Sequence, residues 1–142
     1  MIYFMRSGLL CAAITALAAA MLPVSVHAER ISNPVAVFSG LDKITGRITT
    51  FDVYLDETVQ FGALQVTPKA CYSRDQAEAQ KIDGFVEVDE ITLDRRIRRI
   101  FTGWMFADSP GLNAVEHPIY DVWLKDCKQN SDVPPPQSAT AK

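Results

Sequence analysis

The stretch of this sequence best equipped for chemistry is Glu116-His117-Pro118-Ile119-Tyr120-Asp121. It sets an imidazole beside carboxylates and a phenol, and His is the side chain that exchanges protons most readily near neutral pH. A small hydrolase or transferase built here would use His117 with Asp121 or Glu116. No nucleophile accompanies the group, and a His ahead of Pro in a loop is more often a hydrogen-bonded structural residue. A non-enzymatic role is therefore the expectation and catalysis the alternative.

Sulfur offers a second chemistry. Cys11 lies in an apolar N-terminal stretch, which leaves Cys71 and Cys127 in the body of the chain. Two thiols in an exported domain predict one disulfide. In the chain-entropy account such a long loop is worth about 4 kcal/mol, an upper-end figure. The spacing is wrong for a CxxC redox pair, and one His with two distant Cys is a poor zinc set. The sequence has no Gly-rich phosphate loop with Lys, no HExxH, no EF-hand loop and no GxSxG elbow. No metal or cofactor is expected.

The third candidate is aromatic. Phe101, Trp104, Phe106, Tyr120 and Trp123 fall within 23 positions of one another. An exposed Trp can stack on a sugar or anchor a protein partner. Trp104 is expected in the core over the disulfide. Trp123 is open between core and surface, because Asp121 and Lys125 flank it at a period of two. The candidate binding surface is Trp104, His117, Tyr120, Asp121 and Trp123, drawn from the Gly103–Pro110 and 116–123 segments.

The chain that must position these groups has 142 residues, enough for one domain. Its N-terminus reads as an address. Arg6 precedes an apolar run from Ser7 to Leu22, Pro23 breaks that run, and Val26-His27-Ala28 supplies the small residues of a cleavage site before Glu29. These are the parts of a secretory signal peptide, and the apolar run is short for a membrane span. Cleavage after Ala28, export to the periplasm and a mature chain with no transmembrane segment are expected. Arg6 is the one charge lost, leaving 13 basic against 17 acidic residues. An acidic chain argues against coating nucleic acid or anionic lipid. An envelope protein or glycan is the partner class that remains.

The rest divides into an exposed leader (29–34), a β-domain (35–127) and a disordered tail (128–142) rich in Pro. Phe51, Val53 and Leu55 alternate with Thr50, Asp52 and Tyr54, the period of a half-buried strand. Two short strands fit 58–72, with Gly62 at a turn and Pro68 tolerable only at an edge or bulge. Residues 73–83 read as a polar loop or one marginal helical turn. The run Arg95-Arg96-Ile97-Arg98-Arg99 is best folded back on the strand before it. Glu90 then faces Arg98, Asp89 faces Arg99, Ile91 faces Ile97 and Val88 faces Ile100. Residues 119–127 form the last strand, with Tyr120, Val122 and Leu124 on one face. The expected fold is all-β: a small antiparallel sandwich or barrel of six to eight short strands, stapled by one disulfide.

Several blocks resemble a known family. They are Leu41-Asp42-Lys43-Ile44-Thr45-Gly46, Glu57 to Leu64, Ala70-Cys71-Tyr72, Phe101 to Pro110 with its Gly-Trp-Met-Phe-Ala core, and Glu116 to Cys127. The family is domain of unknown function 2155, found in exported proteins of alphaproteobacteria, and the likeness covers roughly 41–127. The resemblance implies a periplasmic domain with these two cysteines and no assigned activity. It supplies no catalytic residues.

Overall fold

The computed structural model describes residues 29–75 and 81–136. The segment expected to be a signal peptide (1–28) and part of the 73–83 loop lie outside the described residues. Nine strands are present among them, and no helix. They are β1 (Arg30–Ser32), β2 (Val35–Asp42), β3 (Arg47–Tyr54), β4 (Val59–Phe61), β5 (Leu64–Arg74), β6 (Asp83–Ile91), β7 (Ile97–Phe106), β8 (Val115–Glu116) and β9 (Tyr120–Lys128). Beyond the expected six to eight come short pieces such as β1 and β8. Two or three residues are too few to display a period of two. The segment read as a leader carries β1, exposed along its length.

The strands form two antiparallel sheets. Sheet A runs β1-β5-β6-β7 with β4 also on β5, and sheet B runs β3-β2-β9-β8. Alternate residues of each face inward. Leu64, Val66, Val86, Val88 and Met105 from sheet A meet Phe38, Val53, Val122 and Leu124 from sheet B in one buried cluster. Cys71 on β5 and Cys127 on β9 join the sheets at disulfide distance, with Cα atoms 5.8 Å apart. The all-β class and the stapling pair are thus as the sequence predicts, and the architecture is the sandwich.

Register explains two local features. Pro68, which has no N–H to give, sits at a register shift before Ala70, between the stretches of β5 covered by β4 and β1. In the β6–β7 hairpin the expected pairs Asp89–Arg99, Glu90–Arg98 and Ile91–Ile97 all form. The fourth differs: a bulge between Val88 and Asp89 puts Phe101, not Ile100, opposite Val88. That extra residue shifts the rest of β7 by one position relative to β6.

Strand β2 departs from alternation, since every residue from Val35 to Gly40 is buried. On the second face, the C-terminal segment bonds Tyr54 and Asp52, the β3 partners of Val35 and Val37. Beyond β9 the chain crosses β2 towards β3, where Tyr54 Oη donates to the Val133 carbonyl (2.7 Å) and Ser131 Oγ binds Asp52 Oδ2 (2.6 Å). Lys128 Nζ meets the same Asp52 oxygen at 2.6 Å. Burial pushes the Asp52 carboxyl up, but the hydrogen bonds from Lys128 and Ser131 outweigh it and hold it below its ordinary range. The expectation of a free tail from residue 128 therefore gives way to a strap as far as Pro136. Residues 137–142 lie outside the description.

Candidate functional site

His117 leaves β8 at one end of the sandwich, where four loops converge. Ile119 N–H donates to its Nδ1 (3.1 Å), so in the neutral ring the proton sits on Nε2. Nε2 is 2.9 Å from Glu90 Oε1, across the gap between the sheets. Arg98 binds the other carboxylate oxygen at 2.7 Å. The hydrogen bond from His117, then that from Arg98, hold the Glu90 carboxyl below its ordinary value, against the opposing effect of desolvation.

The carboxylate partner of His117 is thus Glu90, not Asp121 or Glu116. Asp121 is tied to Lys43 Nζ at 2.9 Å, and the same ammonium donates to the His117 carbonyl (2.7 Å). Glu116 is exposed. Nothing in the sequence near His117 signals a partner 27 positions away. Both imidazole nitrogens are engaged, so the ring offers no free base towards solvent.

The ring is also the end of an aromatic series. His117 stacks on Tyr120 (5.6 Å between centroids), Tyr120 meets Phe61 edge-on (5.6 Å), and Phe61 stacks on Phe51 (5.6 Å). Two glycines make room for it. A Cβ on Gly40 would lie 2.6 Å from the Phe61 ring, and one on Gly62, whose φ is +58°, would collide with Tyr120. A cleft of about 650 Å³ opens beside this series, between Leu93, Ile91, Ile119, Tyr120, Glu90 and His117.

A different surface lies on the outer face of sheet A. Trp104, expected in the core, is 37 % exposed. The β6–β7 bulge is the reason. Without it Trp104 would pair with buried Gly84, whereas with it Trp104 pairs with outward-facing Phe85. There it packs edge-on against Phe85 (5.4 Å) and stacks with Tyr72 (6.1 Å). The Arg30 guanidinium lies 4.5 Å over the Tyr72 ring. Sequence reasoning missed Tyr72, Phe85 and Arg30: the bulged register sets Trp104 against Phe85, and the pairing of β1 with β5 brings Arg30 to Tyr72.

The five residues grouped as one candidate surface fall in three places. Trp104 lies on the outer face of sheet A, and His117 and Tyr120 at the cleft. Asp121 and the half-buried Trp123 alternate with inward Val122 and so face outward from sheet B. Among the described residues no group of three or more His, Cys, Asp or Glu side chains is gathered where a metal ion could sit. Among them, too, no helix is long and apolar enough to cross a membrane.

This disulfide-paired sandwich matches a family model described as an uncharacterized protein conserved in bacteria (DUF2155) over residues 36–127. The chain belongs to that family. It is also 29 % identical over 87 residues to an uncharacterized protein of Rickettsia prowazekii (strain Madrid E). The match takes in 61 % of this chain and 56 % of that protein, so the chain spans little more than half of the relative's length. No solved structure matches the chain.

Proposed function

We propose that this protein is an exported, non-enzymatic binding or accessory domain of the bacterial cell envelope, acting in the periplasm on a protein or glycan component. The observation that carries the reading is the exposed Trp104 beside Tyr72, Phe85 and Arg30 on an outward sheet face. Aromatic rings with a flanking guanidinium are suited to sugar faces and to protein hot spots. The N-terminal signal pattern and the pairing of the two remaining cysteines support export.

Site-specific photo-crosslinking in living cells tests it. A crosslinker at position 104 should capture an envelope component that W104A competes for poorly, while the denaturation midpoint of W104A stays close to that of the wild type. Capture no different from that at exposed Lys125 would overturn the reading. N-terminal sequencing should begin at Glu29, and uncut precursor in the cytosol would refute export. His117 is a poor probe of binding, because its ring joins the two sheets.

A further inference from the structure

The two contacts of the His117 imidazole respond to a proton in opposite ways. Nε2 is 2.9 Å from Glu90 Oε1, and Nδ1 accepts from the Ile119 amide at 3.1 Å. A neutral ring has one donor and one acceptor, and so satisfies both contacts. An imidazolium has two donors and no acceptor. The contact to Glu90 survives protonation and gains charge, whereas the contact to Ile119 becomes N–H against N–H. Turning the ring over does not restore it, because either nitrogen then carries hydrogen.

The charges around the ring keep the first contact in place. On β6, Glu90 also holds Arg98 of β7 at 2.7 Å, and its carboxyl lies below its ordinary value. A carboxyl so held stays ionised at the near-neutral pH where imidazoles exchange protons. Asp94, which lines the same cleft, is paired with Arg96. From the side of sheet B, Lys43 Nζ meets the His117 carbonyl (2.7 Å) and Asp121 (2.9 Å). Asp42 accepts from the Ile44 and Thr45 amides, Glu116 is exposed, and Tyr120 stacks on the ring. Of these groups only Glu90 meets an imidazole nitrogen.

The backbone confines the response. His117 N–H donates to the Tyr120 carbonyl (3.0 Å), and the Ile119 carbonyl accepts from the Lys43 amide (2.8 Å). Both ends of the turn are thus anchored. Between them the ring of Pro118 fixes its own φ. The rotation left is that of the Pro118–Ile119 peptide, which carries the amide in question. His117, Ile119 and Tyr120 line the cleft of about 650 Å³, so this peptide turns at the cleft wall.

We propose that the His117–Ile119 turn is a proton-operated latch. A proton taken up at Nδ1 releases the Ile119 amide and lets the Pro118–Ile119 peptide swing at the cleft wall, while the tie to Glu90 persists as an ion pair. The sandwich stays closed and only the cleft changes shape. The aromatic face around Trp104 takes no part, so the inference goes beyond the function proposed above.

An NMR titration tests it, using protein purified from cells expressing the full chain. Above neutrality, long-range proton–nitrogen spectra should show hydrogen on Nε2 and none on Nδ1. As the pH falls, the Ile119 amide should shift with the same midpoint as the imidazole, and its exchange protection factor should drop about five-fold. The amides of Val86 and Val88 should keep theirs. H117N leaves an acceptor beside the Ile119 amide without a titrating group, so protection there should stay level over the same range. Hydrogen on Nδ1 above neutrality overturns the proposal. So does a ring that takes no proton before the protein unfolds, an Ile119 amide indifferent to the ring's titration, or an equal response in H117N.

Discussion

His117 Nε2 and Glu90 Oε1 lie 2.9 Å apart, and this contact joins the loop before β9 in sheet B to the end of β6 in sheet A. The His117 side chain is only 10 % exposed there. The disulfide fastens the sheets between Cys71 and Cys127, and the imidazole fastens them near the cleft. A residue that looks catalytic in the sequence is a cross-tie in the fold.

Removing that tie should loosen the cleft end locally. In H117A the Ile119 amide loses its acceptor, and its hydrogen exchange should quicken several-fold while core amides of β6 change little. In chemical denaturation H117A and E90Q should each lower the midpoint, with the double variant costing less than their sum. Strict additivity would show that the contact is absent in solution.

Acid should weaken the fold through Glu90 and Asp52. Both carboxyls are held below their ordinary values of 4.5 and 3.8. A group with a lowered folded-state pKa contributes fully above its unfolded value and loses that contribution as pH falls through the folded one. Denaturation midpoints should therefore be flat from neutrality to about pH 5 and fall below it. E90Q should shallow the fall. A wild-type profile that stays level down to about pH 3 would contradict this account.

Reduction should cost most. Its 56-residue separation predicts that opening Cys71–Cys127 removes up to about 4 kcal/mol, a large share of the roughly 5–15 kcal/mol a domain has. C71A/C127A should show this in urea titration, and the oxidised protein should yield no titratable thiol from either position after unfolding. Two free thiols per processed chain would refute the staple.

Gly40 is a packing requirement rather than a turn requirement. In G40A the new Cβ would stand 2.6 Å from the Phe61 ring, at the end of the buried Val35–Gly40 stretch of β2. Overpacking of this kind should cost about 1–3 kcal/mol. The paired variant G40A/F61L should recover part of the loss. Stability equal to wild type in G40A alone would show that Phe61 can step aside freely.

Local pattern revealed much of this fold. Period-two stretches marked β3 and β9, and opposite charges placed Arg98 and Arg99 against Glu90 and Asp89 correctly. Pattern failed where one inserted residue changes parity. The bulge after Val88 leaves no trace in composition, yet it turns Trp104 from inside to outside and sets it against Phe85. The site was legible only in part for a related reason. His117 could be singled out by type, but its partner Glu90 sits on the other sheet, and contacts between sheets carry no spacing rule. The C-terminal strap was misread because Pro-rich composition hides the few polar atoms, on Ser131 and Val133, that anchor it.

That strap bears on how the protein would fail. Val35 and Val37 lie outside the cluster that joins the sheets, yet both are sealed from solvent. Peeling residues 129–136 away would leave the sandwich standing while baring an adhesive strip alongside the open border of β3. A protease that trimmed the C-terminus would then produce molecules that clump while still folded.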